Sequence, residues 1–440
     1  MEKLERYIEN FRKLIQVKTI SHYTDENMTP FYEFHDVLKN VFPNIFSVCT
    51  VEDFDGSLLI RWKGTKNKMP VLFMNHFDVV DVQKEGWSCD PFDATVKDGK
   101  LYGRGTLDTK GGLWATLQAA DDLAKEGFQP EMDIYFESSC NEETTFVGAR
   151  KISNELIKRG VRFSFVLDEG GMIKYEPISG VKGTFAMVGM GERGCADLLF
   201  TANGCGGHAS SPEYDTPLVR LGKFMSEADR TNKFKREISP VIREMFKRFA
   251  SSVEGPLKTI YSRPELFDTV LKEVMPKTSG TAKALLQTTI AFTMAEGSEG
   301  RNIIPTKASV IGNMRVSHHQ GYKASLEAIE KIARKYDIET TVLDPAMDSK
   351  LADFNSPQYA LIEKAVKYAH NGVESVPYIM TGCSDARFMD PLTDNCFHFV
   401  PFLIDERQLE SIHGIDECVD VSTLIPAVEF YRYLMTEGDF

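Results

Sequence analysis

Hydrophobic positions along the chain alternate between short continuous runs and helical spacings. The runs PVLFMNHF, MDIYFES and FSFVLDEGG are rich in aromatic and β-branched residues and predict buried strands. Between them, GGLWATLQAADDLAKEG and FVGARKISNELIKRG carry apolar residues on one helical face. Strands that alternate with helices are typical of an α/β fold with a mixed, mostly parallel sheet flanked by helices.

The pattern changes in the middle of the chain. CADLLFTAN, TTIAFTMAEG, KASVIGNMRVS and IETTVLD predict strands, SLEAIEKIARKYD predicts a helix, and the stretch from about Phe234 to Lys283 predicts further helices and loops. We interpret this part as an α+β domain inserted into the first one, because SPQYALIEKAVKYAH, FHFVPFLI and VSTLIPAVEFYRYL then resume the α/β style. The predicted segments are 1–188, 189–349 and 350–440, and the outer two should share one sheet.

Composition and charge indicate a globular protein that does not bind nucleic acid. The chain of 440 residues is 42% hydrophobic, which is enough for more than one packed core. Its formal net charge of -13 and its lack of a basic run argue against a nucleic-acid partner.

The chain also lacks the patterns of export and membrane insertion. In MEKLERYIENFRKLIQ, charges interrupt the apolar residues, unlike the core of a signal peptide. No apolar run approaches the roughly 18–20 residues that a membrane span needs. The eight cysteines are dispersed and are predicted to be free thiols. We therefore expect a cytoplasmic protein with no membrane partner.

Two segments offer metal-ligand side chains next to flexible backbone. In VLFMNHFDVV, His76 and Asp78 lie on the same side of an extended chain, as a ligand and its orienting carboxylate would; a core or capping pair is the alternative. In GRGTLDTKGG, Asp108 lies in a glycine-rich turn before a helix. A helix cap is the alternative there, whereas the spacing of a phosphate loop is missing.

Three further segments present acids or histidine. ESSCNEETTFVGA contains Glu142 and Glu143, which need a cation or a raised pKa if they are buried together, although a solvated pair is the alternative. FSFVLDEGG ends a strand at Asp168 and Glu169, where open α/β sheets place their ligands. SIHGIDE places His413 in a loop, where a surface histidine is the alternative. Together, imidazoles and carboxylates without thiolates suit a two-zinc hydrolytic site.

The order of these motifs resembles a di-metal hydrolase family that includes aminoacylase, carboxypeptidases, acetylornithine deacetylase and succinyl-diaminopimelate desuccinylase. VLDEGG and the long inserted segment look closest to the carboxypeptidase-S-like and dipeptidase-like branches. The resemblance implies a zinc-peptidase type of fold with an inserted ferredoxin-like lid and dimerisation domain. It also implies two Zn²⁺ ions, with Co²⁺ or Mn²⁺ able to occupy similar sites.

The resemblance implies roles for the motif residues. His76 and Asp168 would bind one metal, Glu143 and His413 the other, and Asp108 would bridge them. Asp78 would orient His76, and Glu142 would be the general base that moves a proton from the attacking water to the leaving amine. Thr109 follows the bridging residue where Asp or Met is commoner after a cis peptide, and Asn141 precedes the acid pair where Asp is commoner. These departures concern fine geometry rather than reaction class.

The inserted segment would complete the substrate site. GHASSP would bring His208 to the oxyanion, often from a partner subunit in such families, which implies a possible homodimer. NIIPTKASVIGNMRV would bring Asn302 and Arg315 to the substrate, and Arg315 suits a carboxylate. In TGCSDARFM, Gly382 would line the pocket.

The predicted function is metal-dependent hydrolysis of an amide or peptide bond in a small substrate with a free carboxylate. Dipeptidase or carboxypeptidase action and deacylation of N-acyl amino acids stay open as alternatives. A non-catalytic homologue is disfavoured because every expected ligand and the base are present. A purely structural metal is disfavoured because such sites are often rich in cysteine.

Overall fold

The computed structural model describes residues 2–24, 27–83, 85–231 and 233–438. Its α-helices are α1 (Glu2–Ile15), α2 (Thr29–Val41), α3 (Pro43–Val48), α4 (Lys110–Lys125), α5 (Val147–Lys158), α6 (Pro217–Arg230), α7 (Pro240–Phe249), α8 (Pro256–Ser262), α9 (Asp268–Val274), α10 (Gly280–Leu286), α11 (Tyr322–Lys335), α12 (Pro357–Ala369), α13 (Glu406–Ser411) and α14 (Leu424–Glu437).

The strands are β1 (Cys49–Phe54), β2 (Ser57–Trp62), β3 (Val71–Met74), β4 (Thr95–Lys97), β5 (Lys100–Tyr102), β6 (Ile134–Ser138), β7 (Phe165–Asp168), β8 (Ile173–Tyr175), β9 (Thr184–Glu192), β10 (Gly194–Asn203), β11 (Gly207–His208), β12 (Thr289–Glu296), β13 (Ile303–Ile304), β14 (Lys307–Val316), β15 (Glu339–Asp344), β16 (Glu374–Met380), β17 (Cys396–His398), β18 (Leu403–Ile404) and β19 (Cys418–Asp420).

A large mixed sheet forms the body of the protein. Ten strands of the described chain pair in the order β1-β2-β6-β3-β7-β17-β9-β8-β18, with β16 beside β9. The neighbours β6, β3, β7 and β17 run parallel at its centre. Strands β16 to β18 come from the last segment of the chain and join strands from the first. The predicted α/β class, with a mostly parallel central sheet flanked by helices, is confirmed.

The two faces of this sheet bury alternate residues of its strands. On one face, Phe73 of β3 belongs to the main core with Trp114 of α4, which stacks on Phe11 of α1 at a ring distance of 5.0 Å. On the other face, Leu72 packs with Ile152 of α5. Because strand side chains alternate in direction, helices are needed on both sides of the central strands.

A second sheet has its own core. Within the described residues, β12-β14-β10-β15 form a four-stranded antiparallel sheet. With α6 and α11, the chain order is strand, helix, strand, strand, helix, strand, which is ferredoxin-like. Phe200, Phe224 and Ile329 lie in a hydrophobic cluster separate from that of the large sheet. The domain boundaries at residues 189 and 349 stay predictions.

The additional helices α7 to α10 pack against the large sheet. Ile242, Met245 and Phe246 of α7 belong to the same hydrophobic cluster as the core of that sheet. Phe249 contacts Phe185 of β9 at a ring distance of 5.1 Å. This helical segment is therefore anchored on the side of the large sheet, although it is connected in sequence to the second one.

Several chemical motifs meet at one edge of the large sheet. His76 follows β3, Glu142 follows its neighbour β6, and Glu169 follows β7 on the other side of β3. The carboxyl ends of parallel neighbours lie at the same edge. Pairing of β5 with β19 brings the loop before α4 close to the loop that carries His413.

In the described parts of the chain, no helix combines the length and apolar character of a membrane span.

Candidate metal centre

Two groups of possible metal ligands share Asp108. His76, Asp108 and Glu169 form one group, and Asp108, Glu143 and His413 form the other. In each group the potential ligand atoms all lie within 4.8 Å of one another. The two oxygens of Asp108 face different histidines, with Oδ1 at 3.0 Å from His76 Nε2 and Oδ2 at 2.9 Å from His413 Nε2. Asp108 is therefore placed to bridge two cations.

The backbone around Asp108 has the cis peptide that the family resemblance suggested. The bond between Asp108 and Thr109 is cis although Thr109 stands where Asp or Met is commoner. The presence of Thr109 instead of Asp or Met therefore does not remove the cis peptide from this loop.

The structure places Glu169, rather than the predicted Asp168, beside His76. Glu169 Oε1 lies 3.3 Å from His76 Nε2. Asp168 instead accepts hydrogen bonds from the Ser384 hydroxyl at 2.8 Å and the Ala386 N–H at 3.1 Å. Adjacent residues of an extended chain point in opposite directions, so the two acids at the end of β7 cannot both face the metal centre. The structure therefore brings Glu169, and not the predicted Asp168, into the group of possible ligands with His76 and Asp108.

Asp78 organises the backbone of the acid pair. Its Oδ1 accepts the N–H of Glu142 and its Oδ2 accepts the N–H of Glu143, each at 3.1 Å. The hydroxyl of Ser21 donates to Oδ2 at 2.6 Å. His76 Nδ1 lies 2.9 Å from the Asp78 carbonyl oxygen and 3.4 Å from its carboxylate. Asp78 thus contacts His76 and also fixes the loop that carries both glutamates, while its predicted role in orienting His76 stays a prediction.

A buried ion pair joins the Asp108 loop to the His413 loop. Glu417 Oε2 accepts Arg104 Nη1 at 2.7 Å and the Gly105 N–H at 3.0 Å. Its Oε1 accepts the N–H groups of Leu107 and Asp108 at 2.7 and 3.2 Å. Arg104 Nη2 also donates to the Gly414 carbonyl at 2.7 Å. Both charged side chains are almost fully buried, at 1% and 0% exposure.

Arg104 and Glu417 were not among the predicted site residues, although both lie within quoted motifs. Arg104 belongs to GRGTLDTKGG, and Glu417 follows His413 in SIHGIDE. Their type alone does not distinguish a buried ion pair from surface charges. The backbone groups that Glu417 accepts become visible only in three dimensions.

Hydrogen bonds and opposite charges link the side chains of the two ligand groups and shift their pKa values. Burial raises the pKa of Asp108, but hydrogen bonds from His413 and His76 outweigh it and lower the pKa below its ordinary range. The same bonds to Asp108 and Glu143 raise the pKa of His413 to about 10. Burial, partly opposed by the charge of His76, raises the pKa of Glu169 to about 8. Divalent cations would replace these protons, since metal ligands must be deprotonated.

Glu142 lies beside this centre without belonging to either ligand group. Its Oε2 is 3.9 Å from His76 Nε2, and only 7% of the residue is exposed. Burial raises its pKa well above the ordinary value, and the charges of Glu169, Asp385 and Glu143 add to the effect. A buried carboxyl with a raised pKa can accept and return a proton near neutral pH.

A cavity of about 710 Å³ opens over the metal centre. Arg315 from β14 and Gly382 from the loop after β16 line it, together with Glu142 and His413. His208 and Asn302 are not among the described residues that line this cavity. They lie beside each other where β11 pairs antiparallel with β13, and the Ala209 N–H donates to the Asn302 carbonyl at 2.9 Å. His208 is exposed.

These features define a class of protein. A buried, shared carboxylate between two histidine and acid groups, with a further buried acid beside them, is the arrangement of a dinuclear metallohydrolase. The model of peptidase family M20/M25/M40 matches residues 72–437, and the chain belongs to this family. It is therefore a metallopeptidase-type hydrolase of amide bonds, as predicted.

Individual relatives agree with this placement. The chain is 30% identical over 442 residues to the N-fatty-acyl-amino acid synthase/hydrolase PM20D1 of Homo sapiens, covering 98% of this chain and 87% of that protein. It is 28% identical to probable carboxypeptidase S-like 2 of Dictyostelium discoideum, covering 93% and 80%. The predicted carboxypeptidase-S-like relationship is confirmed.

A solved structure shows the same fold. The M20 metallo-carboxypeptidase Sso-CP2 of Sulfolobus solfataricus superposes with a TM-score of 0.72 and covers 99% of this chain and 98% of that one. Sequence identity is 18%, so this likeness concerns the fold alone.

Replacing Glu417 with Gln tests the ion pair that joins the Asp108 loop to the His413 loop. The variant leaves the buried Arg104 charge without its partner. It also weakens the hydrogen bonds that the Glu417 side chain accepts from backbone N–H groups of the Asp108 loop. We expect the free energy of unfolding to fall by about 3 kcal/mol or more and zinc affinity to fall about 10- to 100-fold. Urea denaturation and competition with a zinc indicator measure the two effects.

The exposed glutamate of α13 supplies the matched control, because Glu410→Gln changes the same chemical group without a buried partner. Unchanged stability and zinc affinity in Glu417→Gln would contradict the role of the ion pair.

Proposed function

We propose that this protein uses two zinc ions to hydrolyse the amide bond of a substrate that carries a free carboxylate and a large apolar acyl group. The observation that carries the proposal is the pair of ligand groups sharing Asp108, with buried Glu142 beside them. His76, Asp108 and Glu169 would hold one ion, and Asp108, Glu143 and His413 the other.

The donor set fits zinc. Each group offers one imidazole and two carboxylates, and none of the ligand atoms is a sulfur. Mixed imidazole and carboxylate ligands are typical of catalytic zinc, while cobalt and manganese accept similar sets. When bound, such ions polarise the amide carbonyl and lower the pKa of water.

Glu142 is proposed to transfer the proton. Its carboxylate would take a proton from the attacking water and return it to the nitrogen of the leaving amine. The bonds from the backbone of Glu142 and Glu143 to Asp78 hold this acid pair in place while the proton moves. Arg315, which lines the same cavity, would bind the substrate carboxylate.

The rest of the cavity favours an apolar group. Six of the hydrophobic residues that line it are named here the apolar wall: Met172, Ile178, Met187, Met245, Leu285 and Ile379. A small polar dipeptide would leave this surface without a partner, whereas each methylene of an acyl chain gains about 0.8 kcal/mol when it is buried. The wall thus supports N-acyl amino acids or peptides with apolar side chains, and the name of the human relative supports the former.

His208 is proposed to act from a second copy of the chain. The Ser210 N–H donates to His208 Nδ1 at 3.1 Å, so a neutral ring carries its proton on Nε2, where it can donate to an oxyanion. Tyr214, which follows β11 in the chain, is fully exposed, and Ile303 of β13 is 55% exposed, which supports contact with another molecule. We propose a homodimer in which the β11–β13 pair of one subunit approaches the metal centre of its partner.

We propose that the protein is cytoplasmic. All eight cysteines are free, and reducing compartments keep thiols in this state.

Metal removal and the Glu142→Gln variant test the reaction. Chelation should abolish hydrolysis of an N-acyl amino acid and zinc should restore it. Glu142→Gln should lower kcat/KM by about 100- to 10,000-fold while metal analysis still finds two zinc ions per chain. Glu176→Gln, at an exposed glutamate, is the control. Hydrolysis that survives in the metal-free protein or in Glu142→Gln would contradict the proposed mechanism.

Acyl chain length tests the apolar wall. In a series from acetyl to decanoyl, kcat/KM should rise about fourfold per buried methylene. Leu285→Gln should flatten this dependence while leaving the acetyl substrate little changed. Leu257→Gln, in exposed α8 of the same helical segment, should preserve it. A preference for acetyl substrates or small polar dipeptides in the wild type would argue against the wall as an acyl site.

Complementation tests whether His208 acts across subunits. Glu142→Gln and His208→Ala should each be nearly inactive alone. After joint refolding or subunit exchange, the mixture should regain about a quarter of wild-type activity, since half of the dimers are mixed and each contains one complete site. No recovery in a mixture shown to contain mixed dimers would place His208 within its own subunit or outside the reaction.

A further inference from the structure

The guanidinium of Arg315 is held by a thiol and an amide. Its Nη1 donates to Cys383 Sγ at 3.0 Å, and its Nε donates to Asn313 Oδ1 at 2.9 Å. In the chain as described, no carboxylate forms an ion pair with Arg315. Two of its five N–H groups are therefore used, and those of Nη2 stay available beside the cavity.

A second thiol, that of Cys195, lies next to the Cys383 thiol. Cys195 lies opposite Arg315 in the β10–β14 pairing, and its sulfur accepts the Asn313 side-chain N–H at 3.5 Å. The Cys195 and Cys383 thiols share a hydrogen bond, which lowers the pKa of Cys195 to about 6 with help from the charge of Arg315. The same bond and burial raise the pKa of Cys383 well above its ordinary value.

The Cys383 loop is anchored to the large sheet. The next residue, Ser384, donates its hydroxyl to Asp168 at 2.8 Å and its N–H to Glu192 at 2.6 Å. Arg315, by contrast, projects from the second sheet. The contact between Cys383 and Arg315 therefore spans the two sheets at the edge of the cavity.

We propose that Cys383 is a positioning residue that, together with Asn313, holds Arg315 in the orientation that binds the substrate carboxylate. The inference rests on the proposed function, in which Arg315 recognises that carboxylate. A thiol suits the task because sulfur is a weak acceptor that directs the guanidinium without cancelling its charge. A buried carboxylate at this position would form an ion pair and compete with the substrate.

The test measures carboxylate recognition separately from hydrolysis. Calorimetry with zinc-loaded Glu142→Gln protein would compare an N-decanoyl amino acid with its carboxamide, which keeps the acyl chain and lacks the charge. In this background, Cys383→Ala should weaken binding of the carboxylate about tenfold and leave binding of the carboxamide unchanged. Cys383→Ser, which keeps an acceptor, should restore binding to within about threefold of the parent.

The same comparison in the active enzyme gives an independent readout. Cys383→Ala should raise KM for the carboxylate substrate with little change in kcat, while Cys49→Ala, at the start of edge strand β1, should match the wild type. Equal loss for carboxylate and carboxamide, or failure of Ser to rescue a variant that melts at the wild-type temperature, would overturn the inference. If the parent itself binds both ligands equally, the failure lies with Arg315 as the carboxylate site and the inference falls with it.

Discussion

Crowding of carboxylates around Asp108 is the constraint on which the structure depends. Glu142, Glu143 and Glu169 all lie within the same buried edge of the sheet, where mutual repulsion and loss of hydration oppose their ionisation. Two histidines with raised pKa values supply part of the missing positive charge. A pair of divalent ions would satisfy the same requirement without protons, in keeping with the dinuclear metal centre that we propose.

The loops that carry these acids are held by groups outside the ligand set. Asp78 accepts two backbone N–H groups from the acid pair, while Glu417 accepts three from the Asp108 loop and pairs with Arg104. Repelling side chains can stay close only if their backbones are fixed independently. Supporting interactions of this kind are thus as necessary as the ligands themselves.

Periodicity predicted much of the fold because strand and helix patterns are local. The runs around β3, β6 and β7 lead directly to His76, Glu142 and the Asp168–Glu169 pair at one sheet edge. Sequence could not decide between the two acids of that pair, since the choice depends on which face of β7 each side chain follows. Nor could it show the Arg104–Glu417 pair or the Cys383 contact, which join residues far apart in the chain. The position of exposed His208 outside the lining of the cavity likewise depends on the tertiary arrangement.

Anchoring of α7 to α10 on the large sheet divides substrate recognition between two bodies. The apolar wall belongs mainly to the part of the protein that holds the candidate metal ligands, whereas Arg315, which we propose to bind the carboxylate, belongs to the second sheet. A rotation of the ferredoxin-like part would therefore move Arg315 away from the cavity while an acyl chain stayed bound to the apolar wall. Such an enzyme would bind the acyl chain of its substrate first and contact the carboxylate only after the two parts close. The affinity for the acyl chain and the start of hydrolysis would then be determined by different parts of the molecule.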